Sequence, residues 1–163
     1  MESKKPKLYA MTGTIGSGKT TYAKKLSSEK NAVVFLIDDY IRQLGIPIKS
    51  VEDYDKYYYG VRNIITDCTL QLLRLNQSVV LDFGGNIGHW EWLSSIADQT
   101  SANIEIFHLL APLDVRRDRV RKRNLSPNEF HFSDEEFESM PKVSAAPQVQ
   151  REGLKITVIE TAS

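Results

Sequence analysis

The strongest chemical signature is the run Gly13, Thr14, Ile15, Gly16, Ser17, Gly18, Lys19 and Thr20. It fits G-x-x-x-x-G-K-[ST] at every fixed position. Glycines let a backbone turn with its N–H groups pointing inward, which makes a concave nest for an anion. A helix starting near Gly18 would add the positive end of its dipole. In such a nest Lys19 reaches the β- and γ-phosphates, and the Thr20 hydroxyl is a ligand for Mg²⁺. Thr21 is counted with the cradle as its next neighbour on the helix, with a structural role as its alternative. An apolar LYAM leads into the run and a helix-capable TTYAKKL leads out, the context that this motif requires.

A second group is Asp38-Asp39-Tyr40-Ile41-Arg42, at the end of an apolar run. In an open parallel sheet, ligands collect at the carboxyl ends of the strands. A carboxylate there can accept the proton of an acceptor hydroxyl and orient it towards a γ-phosphorus. Either Asp38 or Asp39 fits that role, and Arg42 would share a side with Asp39 and hold the acceptor or the moving phosphate. The plainer alternative is a helix cap with an i,i+3 ion pair. A third acid, Asp82, closes the run Val79-Val80-Leu81 and could bind Mg²⁺ through water or orient the acceptor. Asp82 to Gly85 also fits D-x-x-G, but the chain has no N-K-x-D, so a guanine-reading GTPase is not expected. Gly84, Gly85, Asn86 and Gly88 then form a loose loop. After it Trp90 reads as core, while His89 and Trp92 are candidates to touch a substrate.

The third group is basic. Arg116, Arg117, Arg119, Arg121, Lys122 and Arg123 are six of the 21 basic residues, within eight positions. On a helix Arg116, Arg119 and Arg123 share a face, and Arg117 and Arg121 another. Only Val115 and Val120 are apolar there, so the expectation is a mobile lid over about residues 115–132, closing arginines on a triphosphate and excluding water. Arg119 and Arg123 are the best placed for that contact.

The elements that must hold these groups alternate. Leu8–Met11, Val33–Ile37, Val79–Leu81, Ile104–Leu110 and Lys155–Ile159 read as strands, and their near-continuous apolar character suits a parallel sheet covered on both faces. Thr20–Lys30 reads as a helix. So does Glu52–Leu75, with Tyr54, Tyr57, Val61, Ile64, Ile65, Cys68, Leu72 and Leu75 on one arc. Trp90, Leu93, Ile96 and Ala97 mark another helical face, and Ser133 to Glu136 is a capping box. The tyrosine-rich stretch Tyr54–Tyr59 is expected to shape an acceptor pocket. Strand–helix alternation with right-handed crossovers gives a three-layer α/β fold, here one domain over residues 1–163.

The chain of 163 residues has 21 Lys plus Arg and 21 Asp plus Glu, a formal net charge of zero. That argues against a general nucleic-acid coat. A single cysteine, Cys68, excludes an internal disulfide and reads as a small buried hydrophobe. No leader or membrane-spanning run is visible, and a cytoplasmic setting is expected. The zero hides a partition. Residues 76–115 contain no Lys or Arg, only the acids Asp82, Glu91, Asp98, Glu105 and Asp114.

GTIGSGKTT, DDYIR, LDFGGN and RVRKRN, in that order, resemble the small P-loop kinases grouped as AAA_33. The resemblance runs from about Lys7 to Thr161. It implies a kinase-type P-loop NTPase with a five-stranded parallel sheet in the order 2-3-1-4-5 and a basic lid helix. It puts the family's D-x-x-R on Asp39 and Arg42, making Asp39 the general base. It also puts a D-x-N-like element on Asp82 and Asn86, and the nucleotide-binding lid arginine on Arg123. Family members often carry an arginine in the helix after strand three, where this chain has His89-Trp-Glu-Trp92 instead. The expectation is therefore an ATP- and Mg²⁺-dependent phosphotransferase, moving the γ-phosphate to a hydroxyl of a small, neutral acceptor. A 5′-hydroxyl polynucleotide kinase and an ATP-binding regulatory module or simple ATPase are the alternatives.

Overall fold

The computed structural model describes residues 4–83 and 89–162. Five strands, β1 (Lys7–Thr12), β2 (Val33–Leu36), β3 (Val79–Asp82), β4 (Asn103–Leu110) and β5 (Leu154–Glu160), form one sheet. Its order is β2-β3-β1-β4-β5 and every pairing is parallel, as expected. Between the strands lie α1 (Lys19–Lys30), α2 (Ile37–Gln43), α3 (Val51–Arg74), α4 (Trp90–Thr100), α5 (Leu113–Asn124) and α6 (Asp134–Ser139).

Alternation along the strands builds the three layers. Leu8 and Ala10 of β1, Val79 and Leu81 of β3, and Ile104 and Ile106 of β4 join the core under α2, α3 and α4. The intervening Tyr9, Met11, Val80, Phe107 and Leu109 pack with Ala23 and Leu26 of α1 on the other face. A period of two feeding two faces leaves no polar side to the central strands, hence their unbroken apolar runs.

Two expected details change. Ile37 does not end β2; it is the first residue of α2 and is buried there. An apolar residue at a strand–helix junction satisfies either element, so composition could not place it. On α3 the buried residues are Tyr58, Val61, Ile65, Thr69 and Leu73, whereas Ile64 is 65% and Leu75 78% exposed. The predicted arc was therefore slightly rotated, because the helix packs on α2 and α4 as well as the sheet and three contact directions blur a single stripe. Cys68 is partly buried against the core. Among the described residues no helix is long and apolar enough to cross a membrane.

Candidate active site

Backbone conformation builds the cradle. Gly13, Gly16 and Gly18 have φ of 144°, 76° and 96°, values that residues with a Cβ rarely adopt. Space forbids a side chain as well: a Cβ on Gly13 would lie 2.5 Å from the Leu109 carbonyl oxygen, and one on Gly16 2.7 Å from that of Arg116. Gly18 is the N-cap of α1 and gives it no side-chain cap, and no acid occupies the first turn. The first N–H groups of α1 are thus left for an anionic ligand.

Lys19 donates from Nζ to the carbonyl oxygens of Gly13 at 2.9 Å and Thr14 at 3.0 Å. Burial lowers its pKa, against the opposing charges of Asp82 and Asp38, while Arg123 and Arg116 add to the lowering. Thr20 donates from Oγ1 to Asp82 Oδ2 at 2.7 Å, and Asp82 is buried at the end of β3. This hydroxyl–carboxylate pair offers hard oxygen ligands suited to a magnesium ion. Among the described residues no group of three His, Cys, Asp or Glu side chains could hold a metal by itself. An ion here would complete its shell with phosphate oxygens and water, the usual habit of magnesium. Thr21 is exposed on α1, one residue past the hydroxyl that meets Asp82.

Because Ile37 starts α2, Asp38 and Asp39 lie on a helix, about 100° apart around its axis. Asp38 accepts a hydrogen bond from the Tyr54 hydroxyl at 2.6 Å. Burial raises its carboxyl above the ordinary range; the Tyr54 bond opposes this, Asp82 adds to the rise, and Arg42 and Arg123 act against it. Asp39 instead accepts from Arg42. Arg42 also reaches Glu129 at 3.3 Å and lies 5.5 Å over the Phe130 ring. Asp38 and Lys19 thus feel each other's charge, while Asp39 and Arg42 close on each other and on the segment after α5.

The basic block separates into distinct duties. Arg119 donates from Nη1 to the Gly16 carbonyl at 3.0 Å and to Thr161 Oγ1 at 3.1 Å. Arg123 lies 5.4 Å over Phe132, its Nε buried without a partner, and its charge reaches Lys19 and Asp38. Arg116, expected on the same face, is instead buried beneath the cradle, donating to the Lys142 carbonyl at 2.7 Å. Arg117 pairs with Glu138 and Arg121 with Asp134, both on α6. The expectation that this helix has little to anchor it fails at its root, where Arg116 and Val120 are buried. The loop elements Gly84, Gly85, Asn86 and Gly88 lie outside the described residues.

Sequence reasoning missed Thr161, whose hydroxyl donates to the Ser17 carbonyl at 2.6 Å and so ties the end of the chain to the cradle. It lies just beyond the carboxyl end of β5, the position that the crevice rule for parallel sheets marks out. Glu129 and Phe130 had no comparable signal, because a loop residue brought in by tertiary folding carries no periodicity.

The family profile AAA_33, described as an AAA domain, matches residues 8–147. None of the curated proteins matches the chain. Among solved structures, the chain is similar to a kinase candidate from Chloroflexus aurantiacus, at TM-score 0.79 and 16% identity over 98% of this chain and 90% of that one. It is similar to a component of the Pnkp1/Rnl/Hen1 RNA repair complex, at TM-score 0.60 and 20% identity over 83% of this chain and 43% of that one. It is also similar to a sugar kinase from Janibacter sp. HTCC2649, at TM-score 0.53 and 16% identity over 96% of this chain and 86% of that one. At these identities the likeness is one of fold.

Proposed function

The chain belongs to the AAA_33 family, and on that premise we propose that it is an ATP-dependent kinase acting on a hydroxyl of a small acceptor. The glycine cradle and the open first turn of α1 would hold the phosphates, with Lys19 moving from the Gly13 and Thr14 carbonyls onto the β- and γ-oxygens. Thr20 and Asp82 would hold Mg²⁺, which neutralises charge on the β- and γ-phosphate oxygens. Arg119 and Arg123 would close over the nucleotide.

The observation that carries the reading is Asp38. Its buried carboxyl has a raised pKa and lies in the fields of Lys19 and Asp82. It suits a base that takes a proton from an alcohol. The acceptor oxygen forms a bond to the γ-phosphorus, and the bond from that phosphorus to the bridging oxygen breaks, its electrons leaving with ADP. The acceptor proton passes to the Asp38 carboxylate. This moves the base from Asp39, the position given by resemblance, and leaves Asp39 to hold Arg42 in place. The test is to follow ADP release in a screen of hydroxyl compounds, then compare Asp38→Asn with Asp39→Asn. Asp38→Asn is expected to lower kcat by about 10²–10⁴-fold, the usual span for losing a general base. A loss confined to Asp39→Asn would return the base to that residue.

A further inference from the structure

Tyr54, Tyr58 and Arg62 follow one another at four-residue intervals on α3, a single stripe whose ends are about 12 Å apart along the helix axis. Tyr54 holds Asp38. Tyr58 donates to the Phe83 carbonyl at 3.3 Å and stands 3.2 Å from His89 Nε2. Arg62 lays its guanidinium 4.4 Å from the ring centroid of Trp92 and 5.9 Å from that of Tyr59. Phe83 and Trp92 meet edge to face at 4.4 Å, and His89 lies between them and Tyr58. An aromatic floor therefore runs without a break from Asp38 to Arg62.

Among the described residues the Arg62 guanidinium has no carboxylate and no hydrogen-bond acceptor. Arg42, Arg117, Arg121 and Arg151 all have ion pairs. A guanidinium lying on an indole keeps its N–H edge available, and that planar edge matches two oxygens of a carboxylate or phosphate at once. Beside it Tyr59 is 61% exposed. His89 supplies an independent sign. Tyr58 has a single hydroxyl hydrogen to place between the Phe83 carbonyl and His89 Nε2, and the His89 Nδ1 is buried with no hydrogen-bond partner. Burial and the Arg62 charge hold the His89 pKa below its usual value, so the ring is neutral.

We propose that this stripe is the acceptor bed, and that the acceptor carries a carboxylate or phosphate held by Arg62 while its hydroxyl stands at Asp38. The proposal rests on the kinase reading above. It sets the substrate class as a hydroxyl compound that also carries one carboxylate or phosphate, of which sugar acids and sugar phosphates are compact examples. It also changes the view of the segment 76–115, which has no Lys or Arg. Its missing cation comes from α3.

Binding and turnover test this separately. With ADP and Mg²⁺ saturating the cradle, inorganic phosphate, gluconate and glucose are titrated while tryptophan emission is followed in the full chain and in Arg62→Met and Arg62→Lys. A saturable change is expected with at least one of the anions and not with glucose. Arg62→Met should weaken it by about ten- to a hundredfold, the worth of a charge-assisted pair, and Arg62→Lys should restore part of it. ADP should bind all three proteins alike, which shows that they are folded. No saturable change with either anion, or equal binding by Arg62→Met, overturns the proposal. ADP release is then measured with gluconate against glucose, ribose 5-phosphate against ribose, and a 5′-hydroxyl dinucleotide. Preference for the anionic member of a pair, with a rise in its KM in Arg62→Met, supports the proposal. Equal use of both members overturns it while the kinase reading stands. Salt-steep turnover of the dinucleotide alone overturns it in favour of a nucleic-acid acceptor. Anion binding that needs Arg62, with no phosphoryl transfer to any compound, overturns the kinase reading and keeps only the anion site.

Discussion

At the scale of single residues, two neighbouring carboxylates illustrate what a sequence can and cannot convey. The DD pair marks a turn of chain at the end of β2, and its division of labour depends on one junction. Once Ile37 belongs to α2, successive side chains diverge by about 100° and only one can face the cradle. Asp38 takes that direction and Asp39 closes on Arg42. The Tyr54 hydrogen bond favours the charged form of Asp38 and holds down a pKa that burial has raised. Removing that bond in Tyr54→Phe should raise the Asp38 pKa further, moving the acid limb of the kcat/KM profile to higher pH, as initial rates across a pH series will show. The stability sign is the reverse of an ordinary ion-paired carboxylate. The folded chain keeps its Asp38 proton to higher pH than the unfolded chain, so stability falls as pH rises from the unfolded value through the folded one. Asp38→Asn should therefore raise the melting temperature of the ligand-free protein above that range while lowering activity; an unchanged melting temperature at neutral pH would mean that Asp38 is not strained by burial.

At the scale of elements, α5 was legible as a helix and as basic, and its anchoring was not. Eight of its twelve positions, Asp114, Arg116, Arg117, Asp118, Arg119, Arg121, Lys122 and Arg123, carry charge, so no hydrophobic stripe announces which face is inside. The inward side is set by close approach: the Arg116 backbone lies where only a glycine, Gly16, leaves room, and Val120 is buried a turn later. The outward arginines meet α6, whose capping box at Ser133 and Glu136 was readable in advance. Packing and exposed charge are expected to contribute unequally. Val120→Ala should lower unfolding stability by about 1–3 kcal/mol, the transfer and cavity cost of a buried aliphatic truncation. Arg121→Ala, which removes an exposed pair with Asp134, should leave the urea midpoint within error. If the two variants exchange these effects, α5 is held by its α6 tethers and the mobile-lid picture regains its force.

At the scale of the whole molecule, strand order was legible through the family resemblance that the ordered motifs carry, whereas the charge arrangement was not. A net charge of zero, with all basic residues missing from 76–115, looked like a site wall without cations. Lys19 comes from α1, Arg62 from α3, and Arg119 and Arg123 from α5, so the cations lie on elements outside that segment. A buried Lys19 of lowered pKa is strained when no anion is present. Nucleotide binding should relieve that strain, and only the folded chain offers the site. A ligand at a hundredfold its Kd adds about 2.7 kcal/mol, which for a chain of 163 residues corresponds to a rise in melting temperature of about 5–10 °C. Thermal unfolding with ATP and Mg²⁺ should show that rise. Chelating the metal should remove most of it, because the ion that Thr20 and Asp82 would hold no longer links them to the phosphates. Lys19→Met should behave in the opposite way in each state. Without ligand it removes a buried ammonium that burial disfavours, so its melting temperature should equal or exceed that of the parent. With ATP and Mg²⁺ it should show almost no increment, since the charge that met the phosphates is gone. An Lys19→Met protein that is stabilised by ATP as much as the parent would mean that the cradle is not where the nucleotide binds.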